Sequence, residues 1–293
     1  MNSSTQPSTN SSTMLVIMIY GAAMVGGAMA YLYCESLDLI FRILIADIAA
    51  TCMVFGASYA LNNSSLYDPY WSVAPIVIAG FILSLPETPD PRFMIAFSLT
   101  ALWGIRLTRN WLKTWEGLGT EDWRYQSLAV QTGRGYWWVS FLGIHLFPTL
   151  LVFLGCLSFF TLNEANPSPL NLLDLLAVIT TLGSILIEHR ADAELHKFRA
   201  SRCDRSQVLD TGLWARCRHP NYLGEIGFWF GLYLFSVAAT FEPFQIGLIG
   251  PVAMVTLFVG ISIPMIEKKL LEDKPNYSHY RATTPMLIPY GKL

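Results

Sequence analysis

The chain has 293 residues, of which 53% are hydrophobic and only 14% charged, with a mean hydropathy of +0.42. A soluble domain carries about 25% charged residues, so the depletion points to lipid as the solvent for much of the chain. The net charge of −2 excludes the strongly basic face that nucleic-acid binding needs, and five cysteines (Cys34, Cys52, Cys156, Cys203, Cys217) with no CxxC pair signal neither a disulfide framework nor a zinc site.

In chain order, residues 1–13 (MNSSTQPSTNSST) are uncharged and of low complexity and are expected to form a disordered tail. The apolar run after them lacks a basic leading region and reads as a retained first span. About 20 apolar residues cross a bilayer as a helix. On that criterion the expected spans are 14–34, 39–61, 71–85, 93–107, 136–162, 170–187, 223–241 and 245–266. The third and fourth are short, and Pro75 and Pro86 favour irregularity there. The expected fold is therefore an all-α integral membrane protein, a bundle of seven or eight transmembrane helices with cytosolic loops and a folded C-terminal tail. Residues 14–293 form one multi-span domain in this reading, with its cofactor half at about 170–290.

Lys and Arg positions orient such a bundle. Segments 106–134, 190–218 and 268–292 hold 17 of the 19, and alternation puts all three, with both termini, on the cytosolic side. Five tryptophans crowd 106–138, and Trp111 and Trp115 are one helical turn apart, as an aromatic belt at the membrane interface would place them.

Inside the second span, Arg42 and Asp47 are ionisable residues at a depth where each costs about 2.5–3.5 kcal/mol. A mutual ion pair and a substrate contact both remain open readings for them. In "IEHRADAELHKFRASRCDR" (187–205), Asp192 and Arg199 share a helix face two turns apart. His189, Asp192 and His196 have metal-ligand spacing, but five histidines in the whole chain are too few for a membrane di-iron cluster, so no metal is expected. In "TGLWARCRHPNYLGEIGFW" (211–229), Pro220 suits the first turn of a helix. Asn221 and Glu225 then fall on one face of it. A helix N-terminus attracts anions, and an amide beside a carboxylate can hold a carboxamide. A capped helix start with basic flanks explains Arg216, Arg218 and Pro220 equally well, but not a Glu beside an Asn inside the span. The last stretch, "IPMIEKKLLEDKPNYSHYRATTPMLIPY" (263–290), holds too many aromatics for a disordered tail and is expected to fold back over the cytosolic mouth.

The RHPNYLGE stretch together with "IEKKLL…YSHYR…TPMLIPY" resembles the C-terminal half of the steroid 5α-reductase superfamily. Sterol C14 reductases share its RHPNYLG core, and isoprenylcysteine carboxyl methyltransferases share a looser form. "LYDPYW" (66–71), "LWGIRLTRNW" (102–111), "GTEDWRY" (119–125) and "EHRADAELHKFR" (188–199) are most similar to an uncharacterised branch grouped with the 5α-reductases. The resemblance implies an NADPH-dependent reductase that transfers hydride to a C=C bond of a hydrophobic enone, steroid or sterol-like lipid. It implies that Asn221 and Glu225 bind the nicotinamide carboxamide, that Asp192 meets the adenosine part and that Arg199 meets a phosphate. By the same carry-over His219, Tyr222, Glu267, Tyr277 and Tyr280 line the cofactor pocket. Arg202, Arg205, Arg216 and Arg218 also suit the phosphates of NADPH. An S-adenosylmethionine-dependent methyltransferase is the alternative; that donor has no phosphate to neutralise.

The 5α-reductases polarise the steroid ketone with a Tyr and a Glu in the N-terminal half. This chain reads Trp103 where that Tyr would stand, and Asp68, with Tyr67 and Tyr70 beside it, is the nearest candidate carboxylate. Asp68, Tyr70 and Trp103 are thus the expected catalytic residues. The expected setting is an integral, multi-pass one: the endoplasmic reticulum for a eukaryotic source, the inner membrane for a bacterial one.

Overall fold

The structure, a computed structural model, describes residues 9–204 and 206–289. The expected tail falls outside the described residues at positions 1–8, but its remaining residues do not form a tail. Helix α1 (Thr9–Tyr33) begins at Thr9, since nothing in NSST forbids helix and the apolar run continues from it.

The remaining helices are α2 (Leu39–Ala60), α3 (Tyr70–Leu83), α4 (Pro91–Thr114), the long run α5 (Trp123–Glu164), α6 (Leu172–Ser201), α7 (Pro220–Thr240), α8 (Ile246–Asp273) and a short α9 (Tyr277–Thr283). Among the described residues seven of these runs are long and apolar enough to cross a membrane, α3 counting with its lead-in from Ser64. The protein is an all-helical, multi-span membrane protein. Pro75 sits buried within a continuous α3, so the irregularity expected there is absent. The fourth expected span is helical but is not among the seven, because α4 carries Arg106, Arg109 and Lys113 in its second half. In α5 the first segment, Trp123–Thr132, has no buried residue and stops at Gly133, whose φ of 53° belongs to the left-handed region.

The chain divides into two compact units. The first comprises residues up to Leu85 with Thr100–Cys156; the second comprises Pro86–Leu99 with Leu157 onward.

In the first unit α1 and α2 form a hairpin. A Cβ on Gly27 would lie 2.9 Å from the Ala46 carbonyl oxygen, so the two backbones approach as only small residues permit. Arg42 closes the hairpin by donating to the Tyr31 carbonyl at 3.3 Å, with its guanidinium 3.9 Å from the Tyr31 ring centre. The stretches containing NSSLYDP and GTEDWRY are bonded to each other. Asn63 donates to the carbonyls of Leu118 and Thr120, and the backbone N–H of Ser64 donates to Glu121. Ser12 in turn accepts from the Leu118 N–H, so the start of α1 and the segment after α4 share one end of this unit.

In the second unit α7 lies against α6 along Gly224, Gly227 and Gly231. A Cβ on Gly224 would meet the Ser184 carbonyl oxygen at 2.8 Å, and Cβ atoms on the other two would collide with Ser184 and Thr181. At the start of α6, Asn171 accepts from Leu173 N–H while Asp174 accepts from Asn171 N–H, a reciprocal capping box. Asp174 also receives the fully buried Arg92 through two bonds of 2.6 and 3.0 Å.

Candidate functional site

In the second unit the end of α6, the start of α7, the end of α8 and the tail come together. His219 stands at the N-cap of α7 and Pro220 at its first position, which leaves the helix free to start at the membrane edge. Glu267, on the last turns of α8, is 4% exposed and is held by two arginines and a histidine. Arg218 Nε donates to Oε1 at 2.7 Å, His219 Nε2 lies 3.0 Å from the same oxygen, and Arg281 Nε is 3.1 Å from Oε2. Arg218 also donates to the carbonyls of Arg281 and Thr284. The backbone N–H groups of Arg218 and His219 donate to the Pro285 and Met286 carbonyls at 2.9 and 3.2 Å. The tail is therefore laced onto the RHP stretch, as the folded-tail expectation requires. Arg218, His219 and Glu267 satisfy one another in doing so.

Tyr280 belongs to the same lacing: its hydroxyl donates to the Trp214 carbonyl, and Trp214 Nε1 donates to the Ala191 carbonyl on α6 at 3.1 Å. Burial pushes the Tyr277 phenol well above its ordinary value, and the neighbouring Glu267 carboxylate adds to the effect. Tyr280 is raised by burial and then by Tyr277. Gly212, at φ 61°, has no room for a side chain beside Glu194, which accepts from the Leu213 N–H at 2.8 Å.

One turn into α7 the picture differs. Glu225 is 5% exposed and accepts from Trp229 Nε1 at 2.9 Å. Asn221, four residues before it, has a buried Oδ1 that meets no donor. A buried amide oxygen without a donor costs about 1–3 kcal/mol, which a ligand N–H would recover. Tyr222 stacks on the His219 ring with centres 5.5 Å apart and packs against Phe258 on α8. Beyond them Arg199 shares its surroundings with Asp192 and Arg202. Lys274, which the sequence reading passed over, donates to the Gln207 carbonyl, and its ammonium is pushed down by burial and by the like charges of Arg202 and Arg199. Arg205, named with these cations from the sequence, lies outside the described residues.

The candidate catalytic residues all fall in the first unit. Asp68 accepts from the Tyr125 hydroxyl at 2.7 Å. Trp103 is fully buried, its ring 6.0 Å from that of Trp71. Tyr70 donates to Asp47 Oδ1 at 2.7 Å and lines a cavity of about 420 Å³ among α1, α2 and α3. Asp47 thus pairs with Tyr70. The ion pair with Arg42 that the sequence left open is not formed, because Arg42 is turned onto Tyr31. The pairing of residues 47 and 70 had no sequence signal beyond the presence of an acid inside a span. Among the described residues no group of three or more His, Cys, Asp or Glu is placed to hold a metal ion.

Fold and site together define a multi-span helical membrane protein with a polar end built around the start of α7. The chain belongs to the family described as Protein of unknown function (DUF1295), whose model matches residues 54–284. It is 24% identical over 261 residues to an uncharacterized protein of the fission yeast Schizosaccharomyces pombe, covering 81% of this chain and 76% of that one. No solved structure matches it.

Proposed function

We propose that the protein is an NADPH-dependent reductase of a C=C bond in a lipid-soluble acceptor such as a hydrophobic enone or a sterol-like lipid. The observation that carries the reading is the donor-less, buried Oδ1 of Asn221, one turn before the buried Glu225 on the same face of α7. A primary carboxamide matches that pair: its N–H groups suit two acceptors, and its oxygen can take the Asn221 amide N–H. The cation-dense patch of Arg199, Arg202 and Lys274 favours a ligand that also carries phosphate. When bound, the cofactor supplies a hydride. Asn221 and Glu225 orient its amide, and Tyr222, on the His219 ring, offers an aromatic wall.

Of the residues named for the pocket, Arg218, His219, Glu267 and Tyr280 act in this reading as the frame that holds the tail. Asp192 and Arg199 serve the adenosine and phosphate parts. The three basic segments, with both termini, face the cytosol, where the cofactor is dissolved. The common end shared by the start of α1 and the segment after α4 supports that arrangement. The membrane is that of the endoplasmic reticulum in a eukaryote or the inner membrane in a bacterium.

The test is NADPH binding to purified Glu225→Gln and Asn221→Ala, measured by calorimetry beside wild type. Each is expected to bind at least tenfold more weakly while retaining the wild-type melting temperature in the absence of ligand. Unchanged affinity in both would remove the assignment.

A further inference from the structure

We propose that the cavity among α1, α2 and α3 is a binding site for a lipid with one hydroxyl head and an apolar body, its hydroxyl on Asp47 Oδ2. The inference stands on this unit alone and holds whether or not the reading of Asn221 and Glu225 does.

The cavity, about 420 Å³, is in the range that holds a drug-sized molecule. Its lining is aliphatic and aromatic apart from the Asp47 carboxyl and the hydroxyls of Tyr20, Tyr31 and Tyr70. The hydroxyls of Tyr20 and Tyr70 are already committed. Tyr20 donates to the Leu66 carbonyl at 2.8 Å, and Tyr70 gives its one proton to Asp47. Asp47 is 7% exposed, and while Oδ1 takes the Tyr70 proton, Oδ2 is buried and meets no partner. A carboxyl oxygen left unpartnered on a residue that lines an apolar cavity within a membrane span is expensive. Among the described residues no group meets that cost.

The chemistry of the missing partner follows from the atoms. A hydroxyl can donate to an ionised carboxylate and can accept from a protonated one, so it completes Oδ2 in either state. A ketone can do only the second, and the Tyr70 proton that would otherwise serve a ketone is taken. A hydrocarbon can do neither. The route in is lateral: Met24 and Leu32 on α1 and Val77 on α3 line the cavity and are also exposed. An occupant therefore reaches the cavity from the acyl region of the bilayer.

The test is photo-crosslinking of the full chain in nanodiscs with diazirine-bearing lipids, followed by mass-spectrometric mapping. Two series are used, one linear and one fused-ring, each comprising the alcohol, the matched ketone and the matched hydrocarbon. In at least one series the alcohol is expected to label residues 20–32 and 70–81. It should compete about tenfold better than its ketone or hydrocarbon, the size of one buried hydrogen bond; the productive series identifies the body. Asp47→Leu should abolish the preference for the alcohol. Ala28→Trp, which plugs the cavity from an exposed lining position, should abolish labelling by all three and does not depend on the fate of the buried pair. Equal labelling by alcohol and hydrocarbon, a preference for the ketone, or labelling that survives Ala28→Trp would each overturn the proposal. No nicotinamide cofactor is present in the assay, so its failure leaves the cofactor reading untouched.

Discussion

Trp229 Nε1 donates to Glu225 Oε1 at 2.9 Å, one turn further along α7. The contact fixes the Glu225 carboxylate in place from within its own helix. Glu225 is therefore preorganised for whatever it meets on the other side, and Asn221, one turn earlier, is left with an oxygen that no group among the described residues completes.

Removing that internal support separates orientation from charge. Trp229→Phe keeps the aromatic volume and leaves Glu225 one bond short, so NADPH affinity should fall several-fold, less than in Glu225→Gln. Parallel binding isotherms decide it. A loss in Trp229→Phe greater than in Glu225→Gln would mean that packing of the indole, and not the carboxylate, governs the site.

Lys274 is expected to act on phosphate. It shares a patch with Arg199 and Arg202, whose charges already oppose its own, and an added anion relieves that opposition. If it meets the 2′-phosphate, Lys274→Met should weaken NADPH by about fivefold, the size of one partly exposed charge contact, and should weaken NADH much less. Equal losses for the two nucleotides would move Lys274 to the shared pyrophosphate, and no loss for either would remove it from any phosphate site.

The Arg92–Asp174 pair is structural. Both groups are nearly inaccessible, and Ser168 and the Pro169 carbonyl complete the guanidinium. Arg92→Met strands a buried carboxylate and should cost about 3–5 kcal/mol, whereas the double variant Arg92→Met/Asp174→Leu should recover much of it. Thermal melting in nanodiscs measures both.

Gly224 tests the close approach of α6 and α7. Gly224→Ala places a Cβ 2.8 Å from the Ser184 carbonyl oxygen and should destabilise by about 1–3 kcal/mol through overpacking. Gly143→Ala, where the new atom meets nothing within 4 Å, serves as the control and should not.

The docked tail carries an alkaline limit. Tyr277 and Tyr280 are raised above the ordinary tyrosine value by burial, which is about 10 in an unfolded chain. A raised folded value means the contribution is complete below about pH 10 and is lost as pH rises toward the folded values. Proteolysis of the tail should therefore be slow at neutral pH and accelerate in the alkaline range. Tyr280→Phe should flatten that rise and lower protection at pH 7, because the bond to the Trp214 carbonyl is gone.

Much of this arrangement was legible in the sequence. Apolar length alone located seven of the eight expected spans, and α4 departs from the set because its arginines lower its hydropathy without breaking its helix. The placing of Asn221 and Glu225 on one face follows from a spacing of four residues. Other features had no local signature. That Arg218 and His219 are turned onto Glu267, 49 and 48 residues away, depends on α8 returning to the start of α7. The Tyr70–Asp47 bond depends on α2 and α3 lying against each other, and sequence neighbours favoured Asp68, which the structure gives to Tyr125.

The most direct measurement is thermal stabilisation of the purified protein by NADPH, NADH and S-adenosylmethionine in parallel. A ligand at 100 times its dissociation constant adds about 2.7 kcal/mol. The account predicts a clear upward shift with NADPH, a smaller one with NADH and none with S-adenosylmethionine. A shift with S-adenosylmethionine alone would contradict it and turn the Asn221–Glu225 face over to methyl transfer.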